Sequence, residues 1–323
     1  MRTCRLITIL AGLLLAAFHI HVHAQQPYPA KPIRVIVPFP PGGQTDIVAR
    51  VLAPKLTEAF KQSIVLDNRA GGGGAIGTET VVRATPDGYT LLVVAAGYAT
   101  NAALLKLPYD PVTDVSPIAL IGESGFMIVS HPAVPVANTK ELIAYDKANR
   151  GKLNFGTGGT GTSTHFAAEL FNLMAGTKMT HVPYKGAGPA LIDVLGGQIQ
   201  LNFGAMPTMV SQVKNNRLRG IAVTTAKRST AVPDIPTVAE TVPGYEAVGW
   251  VAVFGPKALP KEIVTRWNSE INRILQLPDV KERLASDGMD AAGGTPENFR
   301  AMLKRDVAKW QNVVKAAGIK AGG

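Results

Sequence analysis

Two glycine-rich turns hold the residues whose types and spacing could bind a ligand. The first, Pro38 to Asp46, reads PFPPGGQTD, and the second, Gly156 to His165, reads GTGGTGTSTH. Each turn lies between an apolar run that predicts a strand and a pattern that predicts a helix. Glycine allows backbone N–H groups to approach a ligand closely, and the N–H groups at the start of a helix have no partners within it. Both turns are therefore candidate anion sites.

The spacing of the glycines argues against nucleotides as the anion. Neither turn contains the Gly-x-x-x-x-Gly-Lys-Ser/Thr pattern of nucleoside triphosphate sites. The second turn spells Gly156-x-Gly158-x-x-Gly161, which is typical of dinucleotide sites, but the next predicted strand, 179–184, lacks the acidic residue that binds the ribose. A carboxylate needs neither that lysine nor that acidic residue, and the hydroxyl groups at the end of this turn would add hydrogen-bond donors for it. The alternative is that the glycines only cap helices and shape turns.

Asp46 and His165 are the titratable residues of the two turns. Asp46 falls in the first turn of its predicted helix, where a carboxylate caps free amides, so we interpret it as a residue that shapes the loop. His165 lies two residues after Ser163, on nearly the opposite side of a helix, which argues against a nucleophile–base pair. We expect His165 to be a hydrogen-bond donor near the cleft or a helix histidine with satisfied bonds. His131 and His181 lack ligand-like spacing with it, so no metal and no cofactor are predicted.

The first residues of the chain read as a secretory signal. Arg2 and Arg5 precede the apolar run 6–18, and Ala24 offers a small residue at a cleavage site. We predict removal of residues 1–24 and export to the periplasm, because the apolar run is too short for a membrane anchor. The only cysteine, Cys4, lies in this segment, so the mature chain would have no disulfide and no cysteine-based site.

The composition excludes some classes of partner. The chain of 323 residues is long enough for two domains, and its formal net charge is +10. Its basic residues are scattered singly without interleaved aromatic residues, so there is no nucleic-acid-binding signature. The positive charge would either steer small anions toward the protein or simply solvate its surface. The mature chain is not expected to insert into a membrane.

Short apolar runs alternate with amphipathic segments along the mature chain. The runs predict strands at 33–39, 63–68, 90–97, 118–122, 126–131, 152–156, 179–184, 199–203, 220–225 and 248–255. The segments predict helices at 45–60, 75–84, 139–149, 163–175, 187–195 and 261–275, and a final helix that begins near Thr295 and ends at Gly318. Repeated alternation of strands and helices indicates an α/β fold with mostly parallel sheets. A kink or a solvent-facing break is expected at Pro54.

The number of strands predicts a division into domains. One sheet of ten strands would be unusual, so we expect two sheets. The segments 129–135 and 242–250, which contain prolines, are the candidate crossings between them. This division gives domain 1 from residues 25–129 and 249–323, and domain 2 from residues 130–248. Each domain would contribute one glycine-rich turn, and two such turns on facing domains would form a clamp.

Motifs across nearly the whole mature chain resemble those of the Bug family, the TctC-like extracytoplasmic receptors of tripartite tricarboxylate transporters. They are Tyr28-Pro29-x-Lys31-Pro32-Ile33, Pro38-Phe39-x-Pro41-Gly42-Gly43-x-x-Asp46, Pro86-Asp87-Gly88-Tyr89-Thr90-Leu91-Leu92, Leu107-Pro108-Tyr109-Asp110-Pro111, His181-Val182-Pro183-Tyr184-Lys185-Gly186 and Asp234-Ile235-Pro236-Thr237-Val238-Ala239-Glu240. The resemblance implies an α/β, two-domain periplasmic-binding-protein fold (a flytrap), with a mixed, mostly parallel sheet flanked by helices in each domain. It also implies a small-molecule carboxylate as ligand, membrane transporter subunits of the tripartite tricarboxylate type as partners, and a monomer.

The resemblance also implies a set of ligand-binding residues. Carried over position by position, they are Phe39, Pro41, Gly42, Gly43, Asp46, Gly97, Tyr98, Ala99, Thr157, Gly158, Gly161, Thr162, Ser163, His165 and Gly204. Family members commonly have an aspartate at the position of Gly204, and in members that bind amino acids it can pair with the ligand's ammonium group. Its absence implies a larger pocket with one negative charge fewer. We therefore expect a non-amino carboxylate, including bulky or aromatic acids.

Two other function classes remain open at the level of sequence. A periplasmic sensor that binds the same ligand and reports to a signalling system would carry the same residues. A secreted esterase-like enzyme would need a nucleophile and a base within reach, and the mature histidines offer no recognisable arrangement. The leading prediction is a periplasmic solute-binding protein, not an enzyme, which passes a di-, tri- or aromatic carboxylate to a membrane transporter.

Overall fold

The structure, a computed structural model, describes residues 28–317. Its strands are β1 (Ile33–Val37), β2 (Ile64–Asn68), β3 (Thr90–Ala95), β4 (Val115–Ser130), β5 (Asn154–Thr157), β6 (Thr180–Pro183), β7 (Leu201–Ala205), β8 (Arg219–Val223), β9 (Val248–Pro256) and β10 (Met289–Ala291). Its helices are α1 (Gln44–Phe60), α2 (Ala75–Val82), α3 (Gly97–Leu104), α4 (Thr139–Ala148), α5 (Ser163–Ala175), α6 (Ala187–Leu195), α7 (Met206–Lys214), α8 (Lys261–Ile274), α9 (Pro278–Ser286) and α10 (Pro296–Ala317). The predicted signal segment, 1–24, lies outside the described residues.

The strands are hydrogen bonded in the order β2-β1-β3-β9-β4-β7-β5-β6, and β8 and β10 also pair with β4. Strand β1 is parallel to β2 and β3, and β5 is parallel to β6 and β7. Strands β4 and β9 pair antiparallel with each other and with their other neighbours. The sheet is therefore mixed, with parallel pairs toward its outer edges, where crossover helices connect the strands.

Strand β4 passes through both halves of the molecule. From Val115 to Gly125 it pairs with β9, and between Phe126 and Ser130 it pairs with β7 and β8. We call the half built on β1, β2, β3, β9 and β10 lobe 1, and the half built on β5 to β8 lobe 2. The ten described strands form one continuous sheet, so the expectation of two separate sheets is wrong, because β4 joins the strands of both lobes. The prediction of two short strands at 118–122 and 126–131 is also wrong, because β4 is one strand from Val115 to Ser130. Polar residues interrupt the apolar pattern at 123–124, but β9 supplies their backbone partners, so the strand continues.

Helices cover both faces of each lobe. In lobe 1, Val35 and Leu91 pack against α1 and α8, while their neighbours Ile36 and Leu92 face the opposite side, as the period of two in a strand requires. The predicted apolar stripe of α10 covers that second side. In lobe 2, α5 packs on one face and α7 on the other. This arrangement fixes the strand ends from which the functional loops emerge.

Helices α3, α7 and α9 and strand β10 were not predicted. The first five residues of α3 and of α7 are all buried, so neither segment has the one-sided apolar pattern by which a surface helix is identified. The expected break at Pro54 is not observed, since α1 continues through this proline, which faces solvent. None of the described helices combines the length and the apolar character that crossing a membrane requires.

Candidate functional site

A cavity lies where the loops of the two lobes meet. Its lining residues are Phe39, Gly43, Gln44, Thr45, Ala95, Gly97, Gly158, Thr162, Ser163, Thr164, Ala187, Asn202, Phe203, Gly204 and Ala205. Both glycine-rich turns contribute, the first from lobe 1 and the second from lobe 2. None of these lining residues is Lys, Arg, Asp or Glu. The lining of the cavity therefore contains no ionisable side chain.

The positive character of the cavity comes from helix ends. Helices α1, α3, α5, α6 and α7 all begin with a residue that lines the cavity or directly follows one. The N-cap residues of α1, α3, α6 and α7 make no side-chain capping hydrogen bond. Backbone N–H groups at such ends carry partial positive charge and have no partner within the helix. The arrangement can hold the oxygen atoms of an anion.

Asp46 fixes the shape of the first turn from behind. Its buried carboxylate accepts hydrogen bonds from the N–H group of Gly42 at 2.9 Å, from Arg50 Nε at 2.8 Å and from Asn68 Nδ2 at 3.1 Å. Burial alone would raise the pKa of Asp46, but these bonds from Arg50, Gly42 and Asn68 outweigh it and hold the pKa below its usual value. Asp46 does not line the cavity, so the structure places it as a loop-shaping residue.

Internal hydrogen bonds order the second turn. The Thr162 hydroxyl donates to the carbonyl oxygen of Gly159 at 2.7 Å and lies 3.1 Å from the Thr164 hydroxyl. Gly159 and Gly161 both have positive φ angles, of 124° and 82°, which favour glycine. The side chain of Ser163, at the start of α5, makes no hydrogen bond to another described residue. Its hydroxyl and the helix start are available to a ligand.

His165 lies behind the second turn and not at the cavity. Its Nδ1 accepts a hydrogen bond from the N–H group of Gly161 at 3.4 Å, and its ring stacks on His181 at a centroid distance of 4.1 Å. Burial lowers the pKa of His165 to about 4, and burial together with His165 lowers the pKa of His181 to about 3. Its Nε2 lies 3.7 Å from Oε1 of Glu169. Ser163 and His165 share no hydrogen bond in the described part of the chain, as their spacing predicted.

The loop after β3 is divided between the cavity and the core. Gly97 lines the cavity, whereas Tyr98 donates its hydroxyl to the carbonyl oxygen of Pro111 at 2.7 Å and Ala99 is fully buried. Two residues further on, the Asn101 side chain donates to the carbonyl oxygen of Gly73 within lobe 1. Its Oδ1 lies against Gly161 of lobe 2 and leaves no room for a side chain there, so the lobes touch at this point. This helix therefore forms part of the contact between the lobes.

The expected site residues fall into two groups. The cavity brings together Phe39, Gly43, Gly97, Gly158, Thr162, Ser163 and Gly204. Its lining does not include Pro41, Gly42, Asp46, Tyr98, Ala99, Thr157, Gly161 or His165. The other lining residues are Gln44, Thr45 and Thr164, which lie within the two glycine-rich turns, and Ala95, Ala187, Asn202, Phe203 and Ala205, which lie outside them. Gly186, which directly precedes the predicted helix 187–195, was a signal for Ala187, whereas Asn202 was marked only by lying in the predicted strand 199–203, which ends one residue before Gly204.

Gly204 does not open additional space. A Cβ atom on Gly204 would overlap the side chain of Met209, with Cγ of Met209 only 2.7 Å away. Met209 is fully buried in the core that covers this face of β7. The expected enlargement of the pocket at Gly204 is therefore wrong, because Met209 fills the volume. The absence of a carboxylate at this position remains.

Comparison with known proteins identifies the family. The profile of the tripartite tricarboxylate transporter family receptor matches residues 48–319. Protein BugT of Bordetella pertussis is 37% identical over 297 residues, which cover 91% of either chain. A Rhodopseudomonas palustris protein solved with adipate is 34% identical with a TM-score of 0.88, over 91% of this chain and 99% of that one. MatC from the same organism, with bound malate, is 29% identical with a TM-score of 0.85, over 89% and 100%. The periplasmic binding protein BugD is 34% identical with a TM-score of 0.87, over 91% of this chain and 99% of that one, so the fold is the periplasmic-binding-protein fold that the motifs implied. The chain belongs to the tripartite tricarboxylate transporter family of receptors.

Proposed function

We propose that this receptor is a periplasmic solute-binding protein that captures a carboxylated organic acid and delivers it to a membrane transporter of the tripartite tricarboxylate type. The observation that carries the proposal is the convergence of five helix starts on a cavity without ionisable side chains. The relatives solved with adipate and malate support a carboxylate as the ligand.

Hydrogen bonding favours a carboxylate at this site. The N–H groups of Gln44, Thr45 and Asp46 precede the first bond of α1, which runs from Ile47 to the carbonyl oxygen of Gly43. At α5, the N–H groups of Ser163 and Thr164 precede the bond from Phe166 to Thr162. Hydrogen bonds from such donors to an ionised acceptor are about twice as strong as neutral ones. Because the donors belong to different lobes, closure of the lobes would bring both sets onto one ligand.

The uncharged lining also limits the ligand. An ammonium group buried in the cavity would have no carboxylate partner there, and an unpaired buried charge is costly. We therefore retain the proposal of a non-amino carboxylate. Catalysis is not part of it, since among residues 28–317 Ser163 is the one serine that lines the cavity and no base is hydrogen bonded to it.

The predicted secretory signal and the predicted domain boundaries, which both come from the sequence, agree with this function. The segment 1–24 predicts secretion, and the family consists of periplasmic receptors. The division into residues 25–129 with 249–323 and residues 130–248 stays a prediction. A sensor would bind the same ligand, so uptake of labelled acid by cells with and without the gene for this protein distinguishes transport from sensing.

Binding to the mature protein tests the proposal directly. A carboxylic-acid panel is screened by thermal shift and confirmed by calorimetry, since a ligand that binds only the folded state raises its melting temperature. In Gly43→Ala the new methyl group would meet only the Pro40 carbonyl oxygen at 3.6 Å, and φ is −81°, so the fold tolerates it while the methyl enters the cavity. We expect this variant to lose binding.

Gly196→Ala is the matched control. Gly196 ends α6, has a φ of −83° and lies outside the cavity. This variant is expected to bind like the wild type. The proposal is wrong if no carboxylic acid shifts the melting temperature, or if both alanine variants bind with the same affinity as the wild type.

A further inference from the structure

The second glycine-rich turn is bonded at two points to a pair of stacked histidines. At the start of the turn, Thr157 Oγ1 lies 2.7 Å from His181 Nε2 and also accepts a hydrogen bond from the N–H group of Gly159 at 3.2 Å. Further along, the N–H group of Gly161 donates to His165 Nδ1 at 3.4 Å. The two imidazole rings stack at a centroid distance of 4.1 Å. The histidine pair therefore connects two points of the turn from behind the cavity.

The surroundings of Thr157 and His181 keep this connection in place. Thr157 is fully buried at the end of β5, and the ring of His181 also stacks on Phe155 of that strand at 5.2 Å. In the described part of the chain, the lining of the cavity includes neither Thr157 nor His181. A buried hydroxyl or amide that loses its partner is costly, because water does not replace the lost bond.

The hydrogen bond from Gly161 requires a neutral His165. A protonated imidazole has a hydrogen atom on both nitrogens, so its Nδ1 could not accept this bond. Burial lowers the pKa of His165 to about 4, and the ring is therefore neutral at pH 7. With Nδ1 as the acceptor, the proton lies on Nε2, which faces Glu169 Oε1 at 3.7 Å. The geometry thus defines one tautomer of His165.

The turn that the histidines hold carries donors for the ligand. Four of its residues line the cavity: Gly158, Thr162, Ser163 and Thr164. The N–H groups of Ser163 and Thr164 precede the first hydrogen bond of α5, and their direction depends on the conformation of residues 157–162. A turn without fixed bonds would have to be ordered when the ligand binds, and this ordering would reduce the affinity.

We infer that Thr157 and His181 are positioning residues of the receptor. The hydrogen bond between them, together with the bond from Gly161 to His165, holds the second turn in the conformation that binds a carboxylate. The inference rests on the proposed function, because it takes a carboxylate at this turn as given. It extends that function by assigning a role in binding to two residues outside the cavity.

Two substitutions of Thr157 distinguish positioning from packing. Thr157→Val keeps the shape and removes the hydroxyl group, whereas Thr157→Ser keeps the hydroxyl group and removes a methyl group. Calorimetry with adipate, malate, citrate and benzoate gives the Kd of each acid that binds the mature wild-type protein. We expect Thr157→Val to raise the Kd about tenfold and Thr157→Ser to stay within about twofold of the wild type. Packing alone would give the opposite order, since only serine leaves a cavity.

A double-mutant cycle tests whether Thr157 and His181 act through each other. His181→Phe keeps an aromatic ring for stacking but removes Nε2, and it should raise the Kd about fivefold. The double variant should bind no more weakly than Thr157→Val alone, because the shared bond is already lost. Effects of the two substitutions that multiply would overturn the inference.

Thr139→Val is the matched control for the loss of a buried hydroxyl group. Thr139 is 1% exposed at the start of α4 in lobe 2, and its hydroxyl group has no hydrogen-bond partner among the described residues. This variant should bind with the affinity of the wild type.

Imidazole NMR of the wild type tests the geometry even if a variant does not fold. Long-range ¹H–¹⁵N spectra at pH 7 distinguish the two neutral tautomers of a histidine. His165 is expected as the tautomer with its proton on Nε2. A proton on Nδ1 would be incompatible with the bond from Gly161 and would overturn the inference.

The outcomes separate the two proposals. If no carboxylic acid binds the wild type, the proposed function is overturned together with the inference. If acids bind but Thr157→Val has the Kd of the wild type, or Thr157→Ser binds more weakly than Thr157→Val, only the inference is overturned.

Discussion

The hydroxyl group of Thr100 donates a hydrogen bond to the carbonyl oxygen of Gly161, and this bond joins helix α3 of lobe 1 to the second glycine-rich turn of lobe 2. Thr100 is fully buried. Separation of the lobes would break this bond and expose both groups to water. The bond therefore stabilises the closed arrangement in which the cavity is formed.

Replacement of Thr100 by valine tests the importance of this bond. Thr100→Val keeps the side-chain shape but removes the donor, and one hydrogen bond contributes about 1 kcal/mol. Because ligand binding requires closure, we expect the Kd of a bound acid to rise about fivefold. Thr80→Val is the control, since the Thr80 hydroxyl donates to the carbonyl oxygen of Ile76 on the exposed side of α2. Equal Kd values for the two variants in calorimetry would contradict the prediction.

A side chain at Gly161 is expected to hold the lobes apart. Its Cβ would overlap Asn101 Oδ1, and the φ angle of 82° adds strain of about 1–2 kcal/mol for any other residue. We expect Gly161→Ala to raise the Kd by about tenfold or more, because the overlap arises only in the closed form. Small-angle scattering with ligand should show a larger radius of gyration than for the wild type.

A second variant, Gly176→Ala, separates the effect of backbone strain from the effect of the overlap with Asn101. Gly176→Ala imposes similar strain, at a φ of 64°, but has nothing within 4 Å of the new methyl group. It should lower stability without changing ligand affinity. A Gly161→Ala protein that binds as tightly as Gly176→Ala would show that the lobe contact does not govern affinity.

The sequence was sufficient to predict both turns, because glycines between an apolar run and a helical pattern indicate a tight turn that leads from a strand into a helix. It gave a signal for Ala187 in the preceding Gly186, but it could not show that Asn202 lines the cavity. Asn202 reaches the cavity only because β7 lies between β4 and β5, and strand order is a property of the whole fold. For the same reason β4 was divided in two: its polar centre is stabilised by β9, more than a hundred residues away along the chain.

Loss of the charge on Asp46 should loosen the first turn. Asp46→Asn removes the ionised acceptor of the bonds from Gly42 and Arg50, and we expect the free energy of unfolding at pH 7 to fall by about 1–3 kcal/mol. Since the pKa of Asp46 is lowered in the folded state, its contribution is present above the pKa of the unfolded chain and is lost as the pH falls through the lowered value. Urea denaturation of both proteins across this pH range measures the difference.

An exposed carboxylate serves as the control for Asp46. Asp279 pairs with Lys55 at 2.7 Å, and its side chain is 61% exposed. Pairs at the surface contribute little, so Asp279→Asn should change stability much less than Asp46→Asn. If the two variants are equally stable, Asp46 does not hold the turn.

The lowered pKa values of His165 and His181, whose rings stack on each other, predict a loss of stability in mild acid. Unfolded histidines take up protons near pH 6.5, whereas His165 and His181 do so only near pH 4 and 3 in the folded state. The unfolded state therefore binds more protons between these values, and the free energy of unfolding falls as the pH drops from about 6.5 to 4. Glu169, whose pKa is raised by burial, opposes this trend and makes it shallower.

Urea denaturation at several pH values measures the effect of the histidine pair. His181→Gln should reduce the pH dependence of the free energy of unfolding, because it removes one histidine whose pKa is lowered in the folded state. The explanation fails if the wild type and His181→Gln lose stability in parallel between pH 6.5 and 4.

The uncharged lining of the cavity has a consequence for how the receptor works in different media. Dissolved salt screens exposed charges far more than groups sealed inside a protein. The net positive surface should attract acids more slowly as ionic strength rises, since long-range attraction is weakened. Once the lobes have closed, however, counterions cannot reach the helix ends that hold the acid. The residence time of the bound acid should therefore differ little between low and high ionic strength.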